Sequence, residues 1–316
     1  MLEVTVDLKV HNSLDSVTNI SNAVVTTGTF DGVHLGHQKI LKKLNKLANY
    51  CEGESVLFTF FPHPRMVLFP DDHGLKLLNT LEEKKERLAA SGLDHLIVHP
   101  FSPEFSRLSA LQYVRDIMVN TLSVHTMVVG YDHHFGRNRE GNLELLNEFS
   151  QTYDFGIEVI SALDVEEVNV SSTKIRRSIG EGNIHLANEY LGYKYSFTGE
   201  VIEGEKRGRL LGFNTANIEI SSELKIIPSF GVYAVNVLLC GQSYKGMLNI
   251  GVNPTFNNEH KTHIEVHILD FDSDIYGESL TIELVKKLRD EKKFNSKEDL
   301  VQQLNEDKRL TIETLR

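Results

Sequence analysis

The hydrophobic period of this chain changes near its middle, and that change restricts its possible folds more than any other feature. Before about residue 190, short β-branched runs alternate with helical patterns: VVTTG from Val24, SVLFTF from Ser55, HLIV from His95, TMVVG from Thr126 and GIEVIS from Gly156. Between them, Ile40, Leu41, Leu44, Leu47 and Ala48 form one apolar helical face, and Phe105, Leu108, Leu111, Val114, Ile117 and Met118 a second. Strands alternating with helices predict an α/β Rossmann-like domain, a parallel sheet covered on both faces. After about residue 195 the period becomes two, as in HIEVHI from His263, where apolar and polar side chains take opposite faces. VYAVNVLL, YKGMLNIGV and LTIELVKKL continue the pattern and predict an antiparallel β-barrel or sandwich. Ser296 then starts a C-terminal helix, with Asp299 available for capping and Leu300, Val301 and Leu304 as its apolar stripe. A length of 316 residues fits two domains of ~150 residues each, placed at 1–186 and 187–316.

The 44 acidic residues exceed the 33 basic ones, giving a formal charge of −11, which argues against a dedicated nucleic-acid or membrane-surface binder. A polyanion must therefore be met by a local site. MLEVTVDLKV carries Glu3 and Asp7 among its apolar residues, unlike a secretory leader, and no run of ~18 apolar residues occurs, so a cytoplasmic protein is expected. Cys51 and Cys240 are far apart and lack CxxC partners, which reads as two buried, reduced thiols.

GTFDGVHLGHQ, from Gly28 to Gln38, follows a buried strand and precedes a helix bearing Lys39, Lys42, Lys43 and Lys46. A strand end feeding a helix start presents backbone N–H groups and a dipole to an anion, and Gly28, Gly32 and Gly36 allow close approach. His34 and His37 can both aim at that point and donate to phosphoryl oxygens, although a lone histidine there could equally cap the helix. In VSSTKIRRSIGEGN, Ser171 or Ser172 is a candidate N-cap. Arg176, one turn in, opposes the helix dipole and is better explained by an external anion, a solvated charged turn being the alternative.

The HxGH pattern resembles that of the nucleotidyltransferase superfamily. With VSSTKIRR it resembles the adenylyltransferase half of the prokaryotic bifunctional riboflavin kinase/FAD synthetases. FTFFPHPRMVLFP resembles that family's segment around its PHP tripeptide, and GYDHHFGRNREGN its flavin-side loop, with Phe61, His133 and His134 departing from the usual residues. The resemblance implies nucleotide contacts at Gly28, Phe30, Asp31, Gly32, Gly36, Ser172, Thr173 and Arg176, catalytic roles for His34 and His37, and flavin contacts at Pro62, His63, Asp132 and Phe135.

In GEVIEGEKRGRLLGFNTANI, Gly204, Gly208 and Gly212 with Lys206, Arg207 and Arg209 make a loop able to wrap polyphosphate. Thr215 and Asn217, at i and i+2 of an extended segment, offer oxygens on one side, which suits Mg²⁺; a β-turn bonding its own backbone is the composition-based alternative. The segment resembles the riboflavin kinase signature ending in PTAN, and the resemblance continues through PSFGVYAV, YKGMLNIGVNPTF, HIEVHILDFDSDIYG and KLRDEKKF. It implies Glu265 as catalytic base, Thr215 and Asn217 as metal ligands, and ATP contacts at Gly204, Arg207, Gly208 and Gly212. Asn214 stands at the proline position of PTAN, which loosens the approach to Thr215, yet the intact ligands predict that kinase activity survives. The whole implies an enzyme that makes FMN from riboflavin and then FAD from FMN, using ATP and Mg²⁺, with FMN and FAD as substrate and product rather than redox cofactors.

Overall fold

A computed structural model describes residues 7–72, 74–161, 170–204, 212–252 and 262–316. Contacts divide the chain into two units, 1–75 with 79–171, and 76–78 with 172–316.

The first unit is a six-stranded parallel sheet in the order β1-β4-β3-β2-β5-β6. Its strands are β1 Lys9–His11, β2 Ala23–Thr27, β3 Ser55–Phe61, β4 His95–Pro100, β5 Val124–Gly130 and β6 Gly156–Ile160. Five were expected. β1, three residues with one apolar side chain, adds an edge paired to β4. The central strands are apolar on both faces because helices cover both: Val24, Leu57, Leu96 and Val128 pack with Leu41, Leu44 and Ala48 of α1 (Leu35–Tyr50). Val25, Val56, Phe58 and Met127 pack on the opposite face. The short α2 (Pro64–Leu68) and α3 (Leu81–Ala90) follow β3.

The second expected apolar face starts late. Ser109 and Gln112 form a capping box, so α4 runs from Ala110 into a π-helical stretch, Tyr113–Thr121, that buries Val114, Ile117 and Met118. Phe105 and Leu108 precede it, and Leu111 is exposed. α5 (Leu143–Tyr153) precedes β6.

The second unit opens with α6 (Ser172–Gly180) and α7 (Ile184–Leu191). Asn188 of α7 donates to Leu284 O and accepts from Tyr195 N–H, which ties this helix to the following strands. The boundary expected at 186/187 thus falls inside α7. β7 (Ser196–Ile202), β8 (Ala216–Glu219), β9 (Gly231–Leu239), β10 (Gln242–Val252), β11 (Thr262–Ile268) and β12 (Ser279–Arg289) close into a barrel in the order β10-β11-β8-β7-β12-β9. β7 and β8 were not anticipated from the sequence. α8 (Lys297–Thr314) packs outside through Leu304, against Met247 and Val232, and Ser296 caps it by accepting from Asp299 N–H. It is anchored by Asp307, fully buried, which accepts from Arg289 Nε and Nη2 (2.7–3.0 Å) and from Gln303 Nε2.

Residues 76–78 act as a detached piece of this second unit. Leu77 N–H donates to Leu224 O and its carbonyl accepts from Ile226 N–H, while the buried Lys225 ammonium donates to Leu78 O at 2.7 Å. Of the cysteines expected to be buried, Cys51 is partly exposed and Cys240 exposed, on a turn with φ +47°; both are unpaired. Among the described residues no helix is long and apolar enough to cross a membrane.

Candidate active sites

In the first unit, β2 ends at Thr27 and the chain turns through Gly28–Val33 before α1 begins. Phe30, Gly32 and Val33 take left-handed φ values of +46°, +87° and +36°. Such values at two non-glycine residues are held by surroundings rather than by preference. Gly28 is needed because a Cβ there would press on the Phe30 ring at 3.2 Å. His34 is the N-cap of α1, its Nδ1 accepting from His37 N–H at 3.4 Å. The helix-capping alternative is therefore realised, and it serves the site, because an accepting Nδ1 leaves the neutral ring's proton on Nε2. His37 stacks on His34 with ring centroids 3.6 Å apart, and Phe30 stacks on the other side of His37 at 4.4 Å.

His37 Nδ1 is buried and has no hydrogen-bond partner among the described residues. Burial, then the adjacent His34 and then Lys84 push its pKa well below the usual histidine value, so at neutral pH it is an uncharged imidazole. Asp31 is buried, its Oδ1 accepting from Asn79 N–H at 3.3 Å. Neither Asp31 nor Phe30 announces such work by composition; position in the turn gives it.

The expected flavin-side residues occupy three settings. Pro62 is exposed and His63 partly buried, N-capping α2 by accepting from Arg65 N–H at 3.2 Å. Asp132 is exposed, whereas Phe135 is buried and pairs through its backbone with Gly141. His133 stacks on Phe135, its Nε2 is buried without a partner among the described residues, and burial lowers its pKa to about 4. His134 Nδ1–H donates to Gly141 O.

Ser172, Thr173 and Arg176 lie on the first turns of α6 in the second unit. Arg176 Nε donates to Lys76 O at 2.8 Å, a protein partner that the sequence did not suggest.

In the barrel, β8 and β11 place Asn217 directly opposite Glu265, and β10 places Asn249 on Glu265's other side. Directly paired residues project from the same face, so these three side chains form one row. Asn217 is 6% exposed and its Oδ1 has no hydrogen-bond partner among the described residues. A buried amide oxygen without a donor is costly unless something else supplies positive charge. The chemistry of these oxygens fits a hard divalent cation, with Thr215 two residues away as the second donor. Gly204 lies against the Asn217 carboxamide, where any Cβ would collide. Glu265 Oε1 accepts from His263 Nε2–H at 2.6 Å.

Thr215 and Asn214 also line a cavity of about 460 Å³, whose other walls include Val266, Ile268, Phe271 and Tyr276. The Asn214 carbonyl accepts from His267 Nδ1–H at 2.7 Å, so a side-chain bond holds the turn where proline would have stiffened it. His267, which sequence reasoning passed over, carries this task two residues beyond Glu265, and burial lowers its pKa despite that bond. Gly212 is exposed with φ +80°. Arg207 and Gly208, with Lys206 and Arg209, lie outside the described residues.

Comparison with known proteins divides the chain in the same two parts. The FAD synthetase family matches residues 16–174, and the riboflavin kinase family residues 191–315. A bifunctional riboflavin kinase/FMN adenylyltransferase from Listeria monocytogenes is 40% identical over 92% of this chain and 91% of its own length. One from Bacillus subtilis is 35% identical over 92% of each, and one from Escherichia coli 35% over 90% of each. The crystal structure of a macrolide-efflux protein from Streptococcus pneumoniae superposes with a TM-score of 0.88 at 31% identity, covering 96% of this chain and 98% of that one.

Proposed function

Because this chain belongs to the bifunctional riboflavin kinase/FMN adenylyltransferase family, we propose how its own residues carry the family's two reactions. The enzyme phosphorylates riboflavin to FMN with ATP, then joins FMN to AMP from a second ATP, giving FAD and pyrophosphate.

In the kinase reaction Glu265 accepts the proton of the riboflavin 5′-hydroxyl as that oxygen attacks the γ-phosphorus and ADP leaves. Thr215 and Asn217 would hold Mg²⁺, which neutralises phosphate charge when bound. Gly204, Arg207, Gly208 and Gly212 belong to the loop that wraps the ATP phosphates. His263 orients the Glu265 carboxylate through its 2.6 Å bond, and His267 fixes the carbonyl just before Thr215. The single observation that carries this reading is the buried Asn217 Oδ1, without a hydrogen-bond partner among the described residues and in register with Glu265.

In the second reaction an FMN phosphate oxygen attacks the α-phosphorus of ATP, the bond to the bridging oxygen breaks, and pyrophosphate departs. The turn Gly28–Gly32, with Phe30 and Asp31, and the start of α1 at Gly36 receive the triphosphate. His34 and His37 donate to its oxygens as charge builds on the leaving group. Ser172, Thr173 and Arg176 contact the phosphate chain, and Pro62, His63, Asp132 and Phe135 the flavin. The acidic composition supports small-molecule partners, riboflavin, FMN and ATP, rather than nucleic acid or membrane.

The test is incubation with riboflavin, ATP and MgCl₂, followed by chromatographic separation of riboflavin, FMN and FAD. The parent yields both products. Glu265→Gln stops at riboflavin but converts supplied FMN to FAD, whereas His34→Ala with His37→Ala stops at FMN. A Glu265→Gln protein that still phosphorylates riboflavin at the parent rate removes the assignment of the base.

A further inference from the structure

Lys84 sits in LEEKKERLAA, a sequence that reads as a solvated helical face. Its neighbour Lys85 behaves that way, pairing with Glu82 at 2.8 Å. Lys84 instead is 8% exposed, on α3, with its ammonium directed into the first unit. An ammonium that far from water needs an acceptor and an opposing charge. It has both: Nζ donates to Thr29 O at 2.9 Å, and the buried Asp31 carboxylate favours its charged form against the desolvation that lowers its pKa.

The Thr29 carbonyl, which also accepts from Thr59 Oγ1, opens the turn in which Phe30, Gly32 and Val33 are left-handed. Phe30 backs the His37 ring, and His37 backs His34. A continuous series of contacts thus runs from a buried ammonium to both imidazoles.

We propose that Lys84 is a positioning residue for adenylyl transfer: it pins the Thr29 carbonyl, and through the turn and Phe30 it sets His37 and His34 where the triphosphate arrives. This rests on the reading that those two histidines act on the ATP phosphates. Lys84 has a second, electrostatic consequence. The charges facing His37 are those of Lys84 on α3 and of His34 at the start of α1, and both, with burial, oppose its protonation. His37 therefore waits uncharged beside a cation.

The experiment compares Lys84→Met, which keeps the stem and removes the charge, with Lys84→Arg, which keeps charge and donor. Thermal unfolding of each variant, followed in parallel, shows whether the first unit remains folded. In Lys84→Met, kcat for FAD formation from FMN falls about 100-fold while KM for ATP stays within about threefold, as for a misplaced catalytic group. Lys84→Arg recovers most of that loss, the His37 ring titrates at higher pH in Lys84→Met by NMR, and riboflavin phosphorylation by the same protein is unchanged. Parent-like kcat in Lys84→Met overturns the proposal. So does equal loss of both activities in every variant, which marks a purely structural lysine. His37→Ala run in parallel separates the two levels: if it retains FAD formation the underlying reading falls, and if it alone loses FAD formation only the role of Lys84 falls.

Discussion

Gly204→Ala is the most informative single change in the barrel. A Cβ at this position would land on the Asn217 carboxamide, first on Nδ2, and 2.5 Å from Cγ and 2.9 Å from Oδ1. Asn217 cannot retreat through its backbone, which is paired to Ile202 on β7 and to Glu265 on β11. The collision therefore falls on a short, buried side chain with two rotatable bonds. Overpacking of this kind costs about 1–3 kcal/mol, and here it is absorbed by rotating the carboxamide, which carries with it the oxygen assigned to Mg²⁺. A ligand misplaced by ~1 Å costs about 100-fold in rate, or about 2.7 kcal/mol of transition-state stabilisation. The expected result is a ~100-fold fall in kcat/KM for riboflavin phosphorylation and a higher MgCl₂ concentration for half-maximal rate, with FMN adenylylation unaltered. The assay needs only riboflavin, FMN, ATP and a MgCl₂ series. A Gly204→Ala enzyme with parental kinase activity and parental Mg²⁺ requirement would refute the reasoning, because the oxygen that must move would then not be the oxygen that matters.

Three further outcomes follow from single contacts. His267→Phe removes the donor to Asn214 O, so riboflavin phosphorylation slows by roughly tenfold, as expected for loss of one positioning hydrogen bond of about 1.4 kcal/mol, and Asn214→Pro in the same chain restores it; no change in His267→Phe would show that the turn is held otherwise. Arg289→Met leaves the Asp307 carboxylate buried without its main partner, costing about 3–5 kcal/mol and lowering the thermal midpoint of the barrel; a midpoint within a degree or two of the parent refutes it. His133, with a folded pKa of about 4 against an ordinary 6.5, disfavours protonation in the native state. Its contribution is whole above about pH 6.5 and is lost as pH falls toward 4, by up to about 3 kcal/mol. His133→Phe should flatten that part of the stability profile, as followed by urea unfolding at several pH values.

What the sequence revealed and what it hid separate by distance along the chain. His34 and His37 stand three residues apart at a helix start, and Thr215 and Asn217 two apart on extended chain, so local periodicity already aims each pair. Glu265 was visible as one of three polar members of an alternating strand, with His263 and His267, and the family resemblance singled it out. The hidden features are pairings across long separations: Lys84 with Thr29 and Asp31, His267 with Asn214, and Arg289 with Asp307. Nothing in LEEKKERLAA distinguishes the buried lysine from its partly exposed neighbour, since both occupy a charged run. β1 and β8 escaped because three or four residues with one or two apolar side chains carry no usable period. The apolar spacing from Phe105 to Met118 suggested one helix because it ignores the Ser109 capping box, which starts the helix later.

The tripeptide Lys76–Leu78 makes the chain impossible to divide with one cut. A fragment starting at Ser172 would carry every barrel strand yet leave Lys225 without the Leu78 carbonyl that receives its ammonium, and Ile226 without Leu77. Gene splitting between the two halves should thus yield a second unit that lacks the partners of Leu224, Lys225 and Ile226, recoverable by supplying a peptide spanning 76–78.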